Sequence, residues 1–359
     1  MRAAVCREFG KPLTIEEVEI DDPNAGEVKV KVSACAICHS DITYADGGWG
    51  GVLPAVYGHE AAGVVEQVGP GVTSLAVGDP VIITLIRSCG TCFYCIQGNP
   101  TMCETSFPLD AQSPLRDATG APIIHGLRTA AFAEYVVVHE SQLMAIPNDL
   151  SFETASLLAC GVITGLCAVT NTAQIPAKSS VVVIGTGGVG LNSIQGAALS
   201  GAYPLIAVDL NDDKLEAAHE FGATHTLNPT KVDAVEETKR LTEGRGVDYV
   251  FVTVGSAAVM SNALSYLNRG GSMVIVGLPP TGHKSEIEFS EMASESQKIL
   301  GSKMGSVRLK VDIPKLVALY QAGQLKLDEL ITRTYPLEEI NEAIKAVKNG
   351  DALRNVIVF

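Results

Sequence analysis

The stretch Val181–Gly190, which reads V-V-V-I-G-T-G-G-V-G, decides the fold of this 359-residue chain. Its first half is an unbroken apolar, β-branched run, which predicts a buried strand. Its second half is rich in glycine and opens a segment of small residues, which predicts a tight turn that leads into a helix. Gly185, Gly187 and Gly190 have the spacing G-x-G-x-x-G, and a strand before it and a helix after it give this spacing its meaning.

Each glycine has a physical reason in a loop that binds the phosphates of a dinucleotide. Gly185 makes the tight turn, Gly187 lets a pyrophosphate approach bare backbone, and Gly190 lets the helix pack close to the strand. The phosphates would lie at the positive end of the helix. A second apolar strand ends at Asp209, whose carboxylate would accept the ribose hydroxyls and repel a 2′-phosphate. Since Asp209–Asn211 offers no arginine for such a phosphate, the sequence favours NAD over NADP.

The rhythm of strand, turn and helix continues to about residue 304. Uninterrupted apolar strands are predicted at Val181–Ile184, Leu205–Val208, Tyr249–Val252 and Met273–Val276. Amphipathic helices are predicted between them, for example at Asp212–Phe221 and Val232–Leu241. Because such strands must be covered on both faces, the pattern predicts a doubly wound parallel sheet of the α/β class.

The rest of the chain has a different pattern. Before residue 150, short apolar runs between glycine and proline turns predict a β-rich, barrel-like module, for example at Val28–Val32, Ala61–Val68 and Val81–Leu85. After residue 304, the sequence predicts helices at Pro314–Gln321 and Leu337–Asn349 and a last strand at Asn355–Phe359. Because this last strand is apolar, it must pair with a sheet, and we expect it to rejoin the first module. The predicted domains are 1–161 plus 304–359, interrupted by 162–303.

Composition and charge limit the possible partners. A formal net charge of −14 argues against nucleic acid, because no basic stripe could offset that field. The chain runs early into Arg7, Glu8 and Lys11 without a secretory hydrophobic region, so we expect a cytoplasmic protein. The stretch 179–208 carries no charge, but its glycines and Pro204 divide it into strand, turn and helix, so no membrane partner is expected.

Four cysteines lie within one short run, C-G-T-C-F-Y-C-I-Q-G-N-P-T-M-C, as Cys89, Cys92, Cys95 and Cys103. An iron–sulfur run of the ferredoxin type would continue with a three-residue gap and Cys-Pro, whereas the last gap here is seven residues. Cysteines two residues apart rarely meet disulfide geometry with each other. Four thiolates without an open position are typical of structural zinc, so the sequence predicts a closed zinc lobe at 89–103.

A second metal set has an open position. Cys38 lies in the run C-A-I-C-H-S-D, His59 in G-H-E, and Cys160 precedes a glycine. Together these three would offer two thiolates and one imidazole, with a fourth position for water or substrate, as in catalytic zinc sites. Taken singly, each is also compatible with ordinary packing. That interpretation is preferred for the remaining three cysteines, Cys6, Cys35 and Cys167.

The order of these motifs resembles the zinc-dependent medium-chain alcohol dehydrogenases. The order is C-x-x-C-H-S-D, G-H-E, the four-cysteine lobe, C-G-x-x-T-G and G-T-G-G-V-G, and the resemblance runs from Arg2 to Phe359. It implies a GroES-like barrel domain interrupted by a Rossmann domain, with NAD and two zinc ions per chain. It also implies that Cys38, His59 and Cys160 are the ligands of the catalytic zinc.

The resemblance assigns further roles by position. Asp41 would orient the ligating histidine, Glu60 would be an acidic residue that can approach the metal, and Ser40 would take the alcohol proton. The implied cofactor contacts are Gly185, Gly187, Gly188, Val189, Gly190, Asp209, Lys214, Thr164 and Arg354, with His39 near the pyrophosphate. The implied substrate pocket is apolar and is formed by Trp49, Leu85, Leu127 and Leu278.

The implied reaction is the reversible oxidation of an apolar alcohol to an aldehyde or ketone by hydride transfer to NAD. Ser40 would begin the exit of the proton. Thr43 stands where liver-type relatives place a histidine, so His39 or water is left as the next proton carrier.

The segment Glu104–Phe132 resembles the liver and class III type, which implies a homodimer, with a homotetramer as the alternative. Some relatives with this segment oxidise an adduct of formaldehyde and a thiol, so a thiol-dependent formaldehyde dehydrogenase stays open. Glu104–Pro108 has no arginine, which counts against glutathione as that thiol. Benzyl and terpene alcohols are equally compatible substrates. A non-catalytic NAD(P)-binding scaffold would lack the metal residues that this chain keeps.

Overall fold

The computed structural model describes all 359 residues and contains nineteen strands and twelve α-helices. The strands are β1 Arg2–Cys6, β2 Thr14–Glu17, β3 Glu19–Ile20, β4 Glu27–Ala36, β5 Ala55–Val56, β6 Glu60–Val68, β7 Pro80–Thr84, β8 Leu115–Arg116, β9 Pro122–His125, β10 Tyr135–His139, β11 Leu143–Ala145, β12 Val181–Ile184, β13 Leu205–Val208, β14 His225–Leu227, β15 Val247–Val252, β16 Leu267–Ile275, β17 Lys298–Gly301, β18 Ile331–Pro336 and β19 Arg354–Val358. The helices are α1 His39–Ala45, α2 Phe93–Ile96, α3 Pro108–Ala111, α4 Phe152–Leu157, α5 Gly161–Cys167, α6 Gly188–Leu199, α7 Asp212–Glu220, α8 Ala234–Leu241, α9 Ala257–Ala263, α10 Phe289–Ser294, α11 Leu309–Gln321 and α12 Ile340–Asn349.

The chain forms two compact units. The first consists of Met1–Cys160, Arg308–Ala322 and Lys326–Phe359, and the second of Gly161–Val307 and Gly323–Leu325. The borders of the predicted domains, after residues 161 and 303, lie close to the borders of these units, and the domain assignment itself stays a prediction.

The first unit is built from two sheets. One has the strand order β2-β1-β5-β9-β8-β3, and the other has the order β11-β7-β6-β4-β19-β18, with β10 also paired to β4. Alternate residues of the long strand β4, such as Val28, Val30 and Val32, are buried in one apolar core. The pairing of β4 with β6 places Ala36 opposite Glu60, which brings the two ends that carry the candidate ligands side by side.

The C-terminal segments return to the first unit, as the sequence predicts. β19 pairs antiparallel with β4, so that Ile357 lies opposite Cys35. The predicted start of a helix at Pro314 is wrong, because α11 begins at Leu309. Asp312 Oδ2 accepts the Arg308 N–H at 2.8 Å and so holds the earlier helix start. Proline prefers the first turn of a helix, which is why the sequence predicts a start at Pro314. Burial of Leu309 stabilises the earlier start more than this preference opposes it.

The second unit contains a parallel sheet with the order β14-β13-β12-β15-β16-β17. Val181 of β12 is in register with Leu205 on one side and with Tyr249 on the other, so β12 lies inside the sheet. Numbered within the unit, this is the order 3-2-1-4-5-6 of a doubly wound nucleotide-binding fold. The α/β prediction is therefore confirmed for this unit.

The uncharged stretch 179–208 folds as β12, α6 and β13, in agreement with the prediction. None of the helices combines the length and the apolar character that a membrane crossing needs.

Candidate active site

The loop between β4 and α1 positions the first thiol of the candidate metal site. Cys38 is the N-cap residue of α1, with an extended backbone at φ −103° and ψ 151°. Asp41 is only 2% exposed, and its Oδ2 accepts the Cys38 N–H at 3.1 Å. A carboxylate three residues into a helix that accepts the N-cap N–H stabilises the helix start. The sequence C-H-S-D therefore fixes the backbone that carries the Cys38 sulfur.

The second oxygen of Asp41 holds the imidazole of the site. Asp41 Oδ1 accepts the Gly58 N–H at 2.9 Å and lies 2.8 Å from His59 Nδ1. Because an ionised carboxylate can only accept, His59 carries a proton on Nδ1, and the lone pair is left on Nε2. His59 Nε2 is buried and has no hydrogen-bond partner. Such a nitrogen is costly to bury unless a metal ion or another group satisfies it.

Four ligand atoms lie together at this nitrogen. The sulfurs of Cys38 and Cys160, a ring nitrogen of His59 and a carboxylate oxygen of Glu60 are all within 4.8 Å of one another, and all four residues are buried. Two thiolates and one imidazole are a known ligand set of catalytic zinc, which keeps a further position open. The residues therefore fit a zinc ion, and the structure brings the predicted ligands together.

Charge and burial act in opposite directions on the Cys38 thiol and the Glu60 carboxyl group of this cluster. A hydrogen bond with the Cys160 thiol holds the pKa of Cys38 well below its usual value, although burial opposes the shift. Burial raises the pKa of Glu60 to about 8, while the Arg354 guanidinium acts in the opposite direction. Arg354 Nη2 donates to Glu60 Oε2, and both side chains are buried. A thiolate is the form of cysteine that binds zinc.

The four cysteines of the lobe form a second cluster. The sulfurs of Cys89, Cys92, Cys95 and Cys103 lie within 4.8 Å of one another, and each residue is half-buried. Cys89 Sγ accepts the Cys92 N–H at 3.2 Å, and Cys103 Sγ accepts the Cys89 N–H at 3.4 Å. Hydrogen bonds from the Thr105 and Thr91 side chains lower the pKa of Cys89 to about 5. Four convergent sulfurs, two of which accept such bonds, fit a closed structural zinc site.

Three glycines shape the turn between β12 and α6. Gly185 has φ +93°, which side-chain-bearing residues rarely adopt. A Cβ on Gly190 would lie 1.7 Å from the Gly185 carbonyl oxygen, so the helix packs here only without a side chain. A Cβ on Gly187 would meet nothing within 4 Å, and Gly187 caps α6 without a side-chain hydrogen bond. Bare backbone at the start of a twelve-residue helix fits a phosphate of NAD(P).

Asp209 is tied to the glycine turn. Its Oδ2 accepts the Thr186 N–H at 2.7 Å and the Thr186 hydroxyl at 3.0 Å, and its Oδ1 accepts the Asn211 N–H at 3.0 Å. Asn211 in turn caps α7 by accepting the Asp213 and Lys214 N–H groups. The sequence does not single out Thr186, although it is the one hydroxyl side chain inside the glycine motif. The carboxylate thus has a structural task beside the one predicted for it.

The other predicted cofactor residues are distributed over both units. Gly188 and Val189 begin α6, Lys214 lies half-buried in the first turn of α7, and Thr164 is buried in α5. These four belong to the second unit, whereas Arg354 and His39 belong to the first. Whether they contact a coenzyme stays a prediction.

The residues that are predicted to carry the alcohol proton or to line the substrate pocket lie mostly in the first unit. Ser40 is half-buried and His39 is exposed, both in the first turn of α1. Thr43 Oγ1 donates to the His39 carbonyl at 2.8 Å. The predicted pocket residues Trp49, Leu85 and Leu127 are half-buried in the first unit, and Leu278 is 68% exposed in the second.

Tyr44 and Tyr57 lie near Trp49 of the predicted pocket, and the sequence motifs do not indicate either of them. The Trp49 ring meets the Tyr44 ring edge-on at 5.0 Å between centroids, and Tyr44 stacks on Tyr57 at 5.8 Å. The available signal is that Tyr44 stands four residues after Ser40, on the same helix face.

Comparisons with known proteins agree with this geometry. A family model of the alcohol dehydrogenase GroES-like domain matches residues 24–148, and a model of zinc-binding dehydrogenases matches residues 188–322. The class-3 alcohol dehydrogenase of Cereibacter sphaeroides is 38% identical over 100% of this chain and 99% of its own length. The chain belongs to the zinc-dependent medium-chain alcohol dehydrogenases. The predicted family and enzyme class are confirmed.

Two further likenesses extend the comparison. The S-(hydroxymethyl)glutathione dehydrogenase of Paracoccus denitrificans is 37% identical over 100% of this chain and 99% of its own length. The crystal structure of benzyl alcohol dehydrogenase from Acinetobacter calcoaceticus has a TM-score of 0.94 and 32% identity, and the match covers 100% of this chain and 99% of that one. The predicted pairing of a GroES-like with a Rossmann domain is thereby confirmed as the fold class of this zinc-dependent alcohol dehydrogenase.

Replacement of Asp41 by Asn should weaken the catalytic metal site without unfolding the protein. The amide keeps one acceptor oxygen but loses the charge, so it cannot serve Cys38, Gly58 and His59 together. Loss of such an outer partner typically lowers metal affinity or activity 10- to 100-fold, and we expect kcat/KM to fall by about that factor.

Steady-state kinetics and zinc retention against a chelator measure the effect. The matched control is Asp46→Asn, which removes an exposed carboxylate at the C-terminal end of the same helix. In the native protein, the carboxylate of Asp46 pairs with Lys348 Nζ at 2.7 Å. This variant should leave both readouts unchanged. Equal losses in the two variants would contradict the role of Asp41.

Proposed function

We propose that this protein oxidises an apolar alcohol reversibly to the aldehyde or ketone, with NAD as hydride acceptor and with two zinc ions per chain. The observation that supports the proposal is the buried, unpartnered Nε2 of His59 beside the sulfurs of Cys38 and Cys160. No hydrogen bond of the protein satisfies this nitrogen, and its neighbours are the ligands that catalytic zinc prefers.

The proposed roles at the catalytic metal follow from these contacts. Held by Cys38, His59 and Cys160, zinc would supply a Lewis acid that lowers the pKa of an alcohol hydroxyl, and NAD would supply the hydride acceptor. Asp41 keeps the proton on His59 Nδ1, so that Nε2 offers its lone pair. Arg354 Nη2 donates to Glu60 Oε2, and this bond would restrain Glu60 so that the open position is left to the substrate.

The proposed proton path starts at Ser40. Ser40 lies in the first turn of α1, between the exposed His39 and the buried Asp41 in sequence, and its hydroxyl is proposed to link the inner cluster to the surface. Thr43 directs its own proton to the His39 carbonyl. We therefore infer that the proton passes from Ser40 to the His39 side chain or to water and not through Thr43.

The second zinc is proposed to be structural. Its four ligands occupy one short segment, and their sulfurs are close enough for tetrahedral binding. Because no ligand position is open, this zinc would stabilise the lobe 89–103 and would take no part in the reaction.

NAD is proposed as the coenzyme because of Asp209. The carboxylate lies at the end of β13, beside the glycine turn, and its charge would repel the 2′-phosphate of NADP. Both oxygens of Asp209 already accept protein hydrogen bonds, so the ribose hydroxyls would share the remaining lone pairs.

The substrate is proposed to be apolar because the predicted pocket side chains are apolar. Trp49, Leu85 and Leu127 are half-buried and offer no charge to a polar substrate such as a sugar. The edge-on contact of Trp49 with Tyr44 adds a second aromatic ring beside this set. Leu278 of the second unit is proposed as the fourth pocket residue.

We also propose a homodimer, with a homotetramer as the alternative, on the basis of the long segment Glu104–Phe132. A cytoplasmic location is proposed because six of the proposed zinc ligands are cysteine thiolates, and a reducing compartment keeps such groups free of disulfides.

The main rival is a formaldehyde dehydrogenase that uses a thiol adduct. The likeness to S-(hydroxymethyl)glutathione dehydrogenase favours it. Against it, the next two arginines after the lobe, Arg116 and Arg128, already pair with protein carboxylates, those of Asp21 at 3.3 Å and Asp110 at 3.1 Å. A scaffold without chemistry is disfavoured by the complete ligand set.

A panel of substrates tests the proposed function. We expect the protein to oxidise aliphatic and benzyl alcohols with NAD in the absence of any thiol. Each added methylene in the substrate should raise kcat/KM by about fourfold while the pocket can enclose it, which corresponds to about 0.8 kcal/mol. Formaldehyde oxidation that requires glutathione or another thiol would overturn this in favour of the rival. Tight NAD binding without turnover of any alcohol would favour the scaffold.

Two substitutions should separate the two zinc sites. Cys160→Ser replaces a buried thiolate, and we expect kcat to fall by more than about a thousandfold, since Lewis-acid assistance is worth several kcal/mol, while NAD still binds. Cys103→Ser should remove the lobe zinc and lower the melting temperature by more than about 5 °C, with little change in the kcat of the folded fraction. Metal analysis should give two zincs in the native chain and one in each variant. Fewer than two in the native chain would sink this assignment.

The coenzyme choice should depend on the charge of Asp209. Asp209→Asn keeps an acceptor for Thr186 but removes the repulsion, so we expect KM for NAD to rise about tenfold and kcat/KM for NADP to rise or stay unchanged. Asp213→Asn, in the exposed first turn of α7, is the matched control and should alter neither coenzyme. An equal loss for NAD and NADP would show that Asp209 only holds the turn.

A further inference from the structure

A buried arginine takes no part in the metal cluster or in the glycine turn. Arg87 lies three residues after the end of β7, and its side chain is 0% exposed. Charged side chains are almost never fully buried unless they are paired and hydrogen-bonded. Burial lowers the pKa of Arg87 to about 10, so the guanidinium stays charged near neutral pH.

The guanidinium of Arg87 converges with a buried amide on one backbone carbonyl. Arg87 Nη2 donates to the Arg128 carbonyl at 3.2 Å, and Gln142 Nε2 donates to the same oxygen at 2.9 Å. Arg87 Nε donates to Gln142 Oε1 at 2.7 Å, which orients the amide. Arg87 Nη1 donates to Asp110 Oδ1 at 3.1 Å, and Gln142 Nε2 also donates to the Thr84 carbonyl at 2.9 Å. The carbonyl of Arg128 is thus fixed from two sides.

The carbonyl belongs to a strained turn. Leu127, Arg128 and Ala130 have φ values of 51°, 62° and 55°, a left-handed conformation that residues other than glycine keep only where the surroundings enforce it. On its other side, the turn touches the segment before His59, because the Thr129 hydroxyl donates to the Gly58 carbonyl at 2.7 Å. The turn is therefore held between the buried pair and the backbone of the candidate metal site.

We propose that Arg87 is a positioning residue for the substrate pocket. With Gln142 it holds the Arg128 carbonyl, and so it fixes the strained turn that presents Leu127 to the substrate. This rests on the proposed function, since Leu127 is assigned there to the pocket wall. Without the guanidinium, the turn is free to relax, and Leu127 loses its fixed place. The effect should fall on alcohols that are large enough to reach Leu127.

Arg87→Gln tests the proposal through the dependence of KM on substrate size. Loss of a charged hydrogen-bond donor should raise KM for a bulky apolar alcohol such as benzyl alcohol about tenfold. KM for ethanol, KM for NAD and the zinc content should stay within about twofold of the native values. Arg116→Gln, which breaks the partly exposed pair of Arg116 with Asp21 at 3.3 Å, is the matched control and should change none of these.

Relief of the backbone strain at Ala130 distinguishes a positioning role of Arg87 from a general stabilising role. Only a positioning role predicts that this relief restores the KM for benzyl alcohol. Ala130→Gly, added to Arg87→Gln, places glycine at a left-handed position, so the turn needs less support. We expect the double variant to regain at least half of the lost affinity on a logarithmic scale. No recovery, or an equal rise of KM for ethanol and benzyl alcohol, would overturn the positioning role.

Two more variants, Asp110→Asn and Leu127→Ala, test the proposal if Arg87→Gln does not fold or has no effect. If Arg87→Gln does not fold, Asp110→Asn removes the charge that pairs with Arg87 and should raise KM for benzyl alcohol about threefold, and an unchanged KM would refute the proposal. Leu127→Ala separates this proposal from the proposed function. If Leu127→Ala alters KM for benzyl alcohol and Arg87→Gln does not, Arg87 has no positioning role and the pocket stands. If neither alters it in an active enzyme, the pocket assignment is wrong and this proposal falls with it.

Discussion

The carboxylate of Asp41 is the constraint on which the candidate metal site depends. It accepts three N–H groups from two distant segments, those of Cys38, Gly58 and His59. Burying a carboxylate is costly, but three hydrogen-bond donors compensate for the lost hydration. One side chain thereby starts α1, fixes the tautomer of His59 and holds the loop before β6 against the loop after β4. The sheet register alone brings these loops near each other, and Asp41 sets their distance.

The sequence predicts those parts of the site whose partners are encoded by spacing. The lobe cysteines, the glycine turn and the C-H-S-D run are each defined by a short sequence spacing. They can therefore be recognised without knowledge of the tertiary structure. The pairing of Glu60 with Arg354 is of another kind, because it arises only when β19 returns to β4 across most of the chain. The same holds for Gln142 and Arg128 around Arg87. The start of α11 at Leu309 is missed for a related reason, since tertiary burial overrides the local preference of Pro314.

The two cysteine clusters differ in how they depend on folding. The lobe takes all its sulfurs from one short segment, so a metal ion can organise that segment locally. The other cluster draws Cys38, His59 and Cys160 from three separate places, and its geometry exists only once the first unit has formed. Its burial has a consequence for chemistry, because a thiolate that would be costly alone is stabilised by the neighbouring donors. The proposed closed site thus takes its ligands from one segment, and the proposed open site takes them from three.

A buried charge at Arg87 is a costly way to support a turn, and apolar packing would stabilise the fold as well. Packing, however, restricts a segment only through volume, and a turn with three left-handed residues can relax within such limits. Hydrogen bonds act on a particular atom in a particular direction, and two of them meet at the Arg128 carbonyl. The network therefore specifies the position of the backbone in a way that apolar contacts do not. The turn contacts the Gly58 carbonyl next to His59 and carries the proposed pocket residue Leu127, so a fixed backbone position would serve both proposed sites.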